Sequence, residues 1–195
     1  TDNREALIGS GYLIKEFENG EKIDDEAHRF LTVDVQRDHF WAGVEAWRGD
    51  GSSRRLWYGR LETFDDILAK QRQYGVQPKM VFLDAQYDTD RVYSACASQD
   101  WTALHGSGRE SFPYKQRNGD VVQRPFTRFQ TAQTSKGARA RYAHWASDRI
   151  KDILHAHRIG QAAEWEIPDD ASKEWLKQID SEAKREVTNA KTKQV

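Results

Sequence analysis

The 195-residue chain is 31% charged and 37% hydrophobic, and its seven Trp, seven Tyr and eight Phe supply large units for a core. These values exclude a disordered chain and describe one globular domain with a polar surface, since two domains would each be small. The formal net charge of -1 averages acids crowded at the two ends against bases crowded in the middle, so distribution bears on partners more than the sum does.

Residues 1–29 hold short apolar patches, Leu7-Ile8 and Tyr12-Leu13-Ile14, among acids and glycines, and read as a lead-in or linker packed partly on the domain. Phe30-Leu31-Thr32-Val33-Asp34-Val35-Gln36 then predicts a β-strand with an acid in its core-facing part, where a carboxylate needs a partner, a proton or a metal ion. After a polar turn at Arg37-Asp38, the aromatic-rich runs 39–47 and 55–61, parted by Gly49-Asp50-Gly51-Ser52-Ser53, predict antiparallel hairpins. Thr63 with Asp66 three residues on forms a capping box for a helix that Gly75 stops. Pro78 precedes a second acid-bearing strand, Lys79-Met80-Val81-Phe82-Leu83-Asp84. Asp88 or Thr89 caps a helix over 90–99, with Val92, Tyr93, Ala95, Cys96 and Ala97 toward the core, and Trp101 to Leu104 forms another short strand. The order is three antiparallel strands, helix, strand, helix, strand, which is an α/β mixed sheet flanked by helices. Strands reached through helical crossovers lie parallel to their partners. If the Asp84 strand returns beside the Asp34 strand, both acids point from adjacent carboxyl ends, where open α/β sheets place ligands.

From Gly106 onward the composition turns basic. Pro113 to Arg117, the Asn118-Gly119 turn and Val121 to Arg124 predict an added basic β-hairpin with a two-residue loop. Arg109, Lys115, Arg117, Arg124, Arg128, Lys136, Arg139 and Arg141 interleave with Phe112, Tyr114, Phe126 and Phe129 against only Glu110 and Asp120. A helix is expected over 141–157, its stripe Tyr142, Trp145, Ala146, Ile150, Ile153 and Leu154. Residues 163–168 alternate like a short edge strand, and Asp169 or Asp170 caps a last charged helix reaching about Thr188. A single cysteine, Cys96, excludes an internal disulfide framework, no apolar run reaches membrane-spanning length, and no signal-peptide pattern opens the chain. The expectation is a cytoplasmic protein without a membrane partner. A chain running from Thr1 to Val195 without a stop signal reads as a fragment of a longer one.

Each of two Asp residues at strand ends can simply cap the following loop. Taken together on neighbouring strands, they suit a pair of Mg²⁺ or Mn²⁺ ions roughly 3.5–4 Å apart, one activating water and one steadying the leaving oxygen of a phosphodiester. Hard oxygen ligands fit those ions, and the chain has no Cys-rich or His-Glu-x-x-His zinc pattern. His155-Ala156-His157 reads as solvated surface, because residues two apart diverge on a helix. His39 and His105 are placed near the mouth of the site or as satisfied loop and strand residues. No nucleophile elbow, dinucleotide fingerprint or phosphate loop is present. The basic and aromatic stretch suits a nucleic-acid backbone, or else is a solvated hairpin.

Leu31-Thr32-Val33-Asp34-Val35-Gln36-Arg37-Asp38, Val81-Phe82-Leu83-Asp84 and Thr89-Asp90-Arg91-Val92-Tyr93 resemble motifs of the nuclease domain of the large terminase subunit of tailed bacteriophages, in its lambda-like branch. A looser similarity covers residues 146–154 and 165–168, and the whole spans roughly residues 28–188. The resemblance implies an RNase H-like fold over 30–195 and two-metal cleavage of double-stranded DNA concatemers during genome packaging. Asp34 and Asp84 would be catalytic metal ligands. Lys115, Arg117, Arg124, Arg128, Lys136, Arg139 and Arg141 would hold DNA. It also implies an ATPase domain upstream in the same longer chain, portal and small-subunit partners, and a place in the host cytoplasm at the procapsid.

One departure is evident: the family's third metal acid usually follows in a late helix, and this chain has no acid after Glu186. Truncation before that helix is the preferred account. Asp148 or Asp152 would be an in-chain substitute, with Asp38 and Asp90 as auxiliary acids or as turn and cap residues. The alternatives are an RNase H-like DNA- or partner-binding module that does not cut in this form, and a Holliday-junction resolvase.

Overall fold

The computed structural model describes residues 12–14, 22–168 and 171–181. Three long strands open the described domain: β2 (Glu26–Val35), β3 (Phe40–Arg48) and β4 (Ser53–Leu61), paired antiparallel in sequence. β2 begins four residues earlier than expected, so part of the presumed lead-in belongs to the sheet, as does β1 (Tyr12–Ile14). The rest of the lead-in lies outside the described residues.

The next two strands each follow a helix. α1 (Phe64–Gln73) carries the expected capping box, in which Thr63 Oγ1 accepts from the Asp66 N–H and the Asp66 carboxylate accepts from the Thr63 N–H. The helix ends at Tyr74, and Gly75 follows with φ +63°, a left-handed turn suited to glycine. β5 (Val81–Asp84) is shortened by a 3-10 turn at Pro78–Met80, because proline supplies no ladder N–H. Asp88 caps α2 (Thr89–Gln99), which leads to β6 (Thr102–Ser107). β5 lies parallel to β2, and β6 parallel to β5. The two right-handed crossovers move the same way across the sheet, so both helices fall on one face. There Ile67, Val92 and Cys96 pack with Leu31, Val33, Val81 and Leu83 in the main core. Each such aliphatic side chain contributes about 1.5–3 kcal/mol by leaving water.

Beyond β6 the expectation and the fold part company. The hairpin β7 (Phe112–Lys115) and β8 (Val121–Arg124) forms its own two-stranded sheet. Its loop has three residues rather than two: the Gln116 N–H donates to Asp120 O at 2.7 Å, and Gly119 sits at φ +95°. The helix expected over 141–157 is instead β10 (Arg139–Ala146) followed by α3 (Ser147–Arg158). β10 lies between β6, parallel, and β9 (Gln130–Gln133), antiparallel, and buries residues of both parities, Ala140 and Ala146 on one face and Ala143 on the other, so it needs no simple period-two pattern. Its apolar residues therefore merged with those of α3 into one apparent helical stripe.

β11 (Trp165–Ile167) is also internal and not an edge, lying parallel between β1 and β4. Glu166 on it is 1% exposed and is held by Arg48 at 3.1 Å and by Arg54. α4 (Lys173–Ser181) follows; its expected cap at Asp169 or Asp170 and its extension past 181 lie outside the described residues. The nine-stranded sheet has the order β1-β11-β4-β3-β2-β5-β6-β10-β9. Replacing Glu166 with Ala leaves two poorly exposed guanidinium groups without their shared carboxylate, and is expected to cost about 3–5 kcal/mol in urea unfolding. A loss under about 1 kcal/mol would show that the triad does not hold β11 in place.

Candidate metal centre and nucleic-acid face

In the β2–β5 ladder Thr32 pairs with Phe82 and Val33 with Leu83. One step further on, Asp34 stands beside Asp84 on strands about 4.8 Å apart. Side chains alternate along a strand, so Leu31, Val33 and Val35 enter the helix-covered core while Thr32 and Asp34 face the other way, exposed. Asp34 is therefore not on the core-facing side of its strand, as expected from sequence; the residues on either side of it are.

Both carboxylates are oriented from two residues downstream. Gln36 Nε2 donates to Asp34 Oδ2 at 2.7 Å, and the Gln86 backbone N–H donates to Asp84 Oδ1 at 3.2 Å. The Gln86 side chain in turn donates to Gly106 O at 3.0 Å, in a space that a Cβ on Gly106 would invade, 2.8 Å from Ser147 Oγ. The repeated Asp-x-Gln at the two strand ends was present in the sequence and was overlooked.

Burial raises the Asp84 carboxyl above the ordinary aspartate range; the Gln86 N–H opposes this, and the neighbouring Asp34 charge adds to it. Among the described residues neither acid forms an ion pair with a cationic side chain. Two like charges fixed side by side, hydrogen-bonded by Gln36 and the Gln86 N–H and not ion-paired among the described residues, are a donor set that would suit a divalent cation bound through hard oxygens.

The other acids stand apart in kind. Asp38 is exposed on the β2–β3 turn, where a hydrogen bond from His39 Nδ1 at 2.8 Å lowers its carboxyl. Asp90 is exposed in the first turn of α2, where a negative charge favours the helix N-terminus. Asp148 and Asp152 lie one turn apart on α3, lining a groove of about 630 Å³ with Arg109, Arg124 and Arg149. No group of three or more His, Cys, Asp or Glu is placed to hold a metal among the described residues.

His105 faces the helices rather than the acids' side: its Nε2 is 2.9 Å from Tyr93 Oη and its ring 5.3 Å from that of His144. Burial, then the His144 charge, lowers its pKa. His157 is not simply solvated, because its Nδ1 donates to Ala163 O at 2.8 Å and its ring meets Trp47 edge-on.

The basic residues form two arms. Lys115 and Arg117 are exposed on the β7–β8 hairpin, where Arg124 and Arg128 lie over the Tyr114 ring at 3.6 and 4.4 Å. Lys136 and Arg139 are exposed on the β9–β10 hairpin. Arg141 differs from these: its Nε donates to Thr102 Oγ1 at 2.8 Å and its Nη2 to Lys79 O at 2.6 Å, which ties it to the sheet. Comparison of the chain with protein-family models, curated proteins and solved structures found no match.

The paired charges have two measurable consequences. Mn²⁺ at a hundredfold excess over its Kd stabilises a one-site protein by about 2.7 kcal/mol, which in a domain of this size is a rise of roughly 5–10 °C in Tm. Chelation should reverse the rise, and Asp34→Asn and Asp84→Asn should each abolish it; an equal rise in both variants would place the ion elsewhere. In EDTA the sign is set by Asp84, whose folded pKa lies above its unfolded value. Its contribution is most favourable below the ordinary aspartate pKa and is lost as pH rises through the raised one. Asp84→Asn should remove that component from a Tm-against-pH profile.

Proposed function

We propose that the chain is a divalent-ion-dependent endonuclease domain of RNase H-like fold that hydrolyses phosphodiesters of DNA. The observation that carries this reading is the position of Asp34 and Asp84 at adjacent carboxyl ends of parallel strands, each one residue beyond the paired Val33 and Leu83, with neither acid ion-paired among the described residues. The central order β4-β3-β2-β5-β6, with helical crossovers after β4 and β5, supports the fold assignment. The motif resemblance supports a role in packaging, with double-stranded concatemers as substrate and the portal, small subunit and an ATPase domain as partners.

In this reading Asp34 and Asp84 hold Mg²⁺ or Mn²⁺, which when bound supply an activated water and charge for the departing oxygen. Gln36 and the Gln86 N–H fix the carboxylate oxygens, limiting the reorientation needed on binding. Lys115, Arg117, Arg124 and Arg128 on one arm and Lys136 and Arg139 on the other hold phosphates and release counterions. The alternative of a DNA- or partner-binding module without cleavage is favoured by one observation, the lack of a third acid at the pair among the described residues.

Plasmid nicking separates the two readings. The wild-type chain should cut with Mn²⁺ or Mg²⁺ and not with EDTA, and Asp34→Asn and Asp84→Asn should each lose about a thousandfold in rate while still binding DNA. Binding without cutting by the wild type would favour the non-cleaving module, and variants that cut normally would sink the site assignment. Faster cutting of four-way junctions than of linear duplex would point to a resolvase. Removing Lys115 and Arg117 should weaken binding uniformly across sequences and reduce the salt slope by about one per charge.

A further inference from the structure

The acids' face carries a row of aromatic rings. Phe30 and Phe82 lie 5.8 Å apart, and Phe129 stacks on Phe82 at 6.3 Å with an interplanar angle of 20°. Phe82 is two residues before Asp84 on the same side of β5, one pleat away from the carboxylates. Phe129 arrives there by a register break. Phe126 bridges Trp145, whereas Gln130 pairs with Tyr142, so the ladder along β10 gains a residue between them. That extra residue lets the chain tip across the sheet, a device by which bulges re-aim side chains beside functional sites.

Phe129 is nevertheless 56% exposed, although its ring stacks with Phe82 and has the Arg141 guanidinium 4.9 Å from its centroid. Phe129 itself lies just before β9, but Arg141 is tied to Thr102 and Lys79 and Phe82 belongs to β5, so the groups that contact its ring are held by the sheet. An aromatic ring fixed this way offers a π-face that any nucleobase can stack on. The exposed cations Arg128, next to Phe129 in sequence, and Lys136 and Arg139 on the β9–β10 hairpin give the charge complementarity that a phosphate backbone requires.

A base inside an intact duplex presents no free face, however. The geometry points to a substrate in which the strand at Asp34 and Asp84 is locally unpaired, with one of its bases stacked on Phe129. This deepens the nuclease reading and rests on it. A small outlay of unstacking energy is offset most easily at a mismatch, a bubble or a single strand.

The test uses the full chain in EDTA, with fluorescent oligonucleotides carrying 2-aminopurine in a fully paired duplex or in a central bubble. The expected result is tighter binding of the bubble, with quenching of 2-aminopurine. Phe129→Ala and Phe129→Leu should weaken bubble binding by about 5- to 150-fold and abolish the quench, while Phe129→Trp retains both. Phe129→Leu keeps an apolar contact with Phe82 without a π-face, which separates stacking from packing. Equal binding of bubble and duplex, unchanged in Phe129→Ala and accompanied by normal Mn²⁺-dependent plasmid cutting, would overturn the inference and leave the nuclease reading standing. Absence of both DNA binding and cutting would overturn the two together.

Discussion

The β2–β5 ladder places two carboxylates side by side, and the core does not let them separate. A one-residue slip of β5 against β2 would turn Val81 and Leu83 out of the core and Phe82 and Asp84 into it. Each aliphatic side chain so lost forfeits about 1.5–3 kcal/mol. The repulsion relieved, for two charges about 4 Å apart, is about 1–4 kcal/mol between the limits of bulk water and a protein surface. Burial of several residues outweighs that single repulsion, so the acids are held where the apolar alternation puts them. Their proximity is stored electrostatic work that a proton or a cation can relieve.

The two faces of the sheet divide the labour. α1 and α2 cover one face with Ile67, Val92 and Cys96, and the Trp101 Nε1–H donating to Gln71 Oε1 at 2.7 Å ties the helix layer to the start of β6. On the other face α4 covers only the flank, through Trp175 against Tyr58 and Trp165. Trp41 stacks on Tyr58 at 5.4 Å and stands opposite Asp34 in the β2–β3 ladder. The acids therefore have two aromatic groups on their face, Trp41 with Tyr58 across the β2–β3 ladder from Asp34 and Phe82 with Phe129 one pleat back along β5 from Asp84.

Residues 30–104 were legible in the sequence because local signals there agree with tertiary ones. The capping box at Thr63, the stop at Gly75 and the cap at Asp88 are each realised, and the order of strands and helices follows. The face of Asp34 was misread because a β-branched run looks uniformly apolar until the alternation of Thr32 and Asp34 against Leu31, Val33 and Val35 is counted. Residues 139–158 were misread for a different reason. Ala140, Ala143 and Ala146 are buried at intervals of three in β10, because both faces of that strand bury residues. The position of Phe129 was illegible, since a register break arises from pairing between distant strands and leaves no local mark.

A pair of aspartates repels the polyanion it is proposed to cut, and the arms must overcome that. At physiological ionic strength the Debye length is about 8 Å. The exposed side chains of Lys115 and Arg117 belong to the separate two-stranded sheet and those of Lys136 and Arg139 to the β9–β10 hairpin, and among the described residues none of them is ion-paired with Asp34 or Asp84. On the proposed reading the charge at the centre is left to a cation, and the two tasks separate: the arms would set affinity and its salt dependence, while the pair would set whether the held phosphate can approach. A fold that joined these tasks, with an arginine bridging the acids, would bind DNA with no room for the ion.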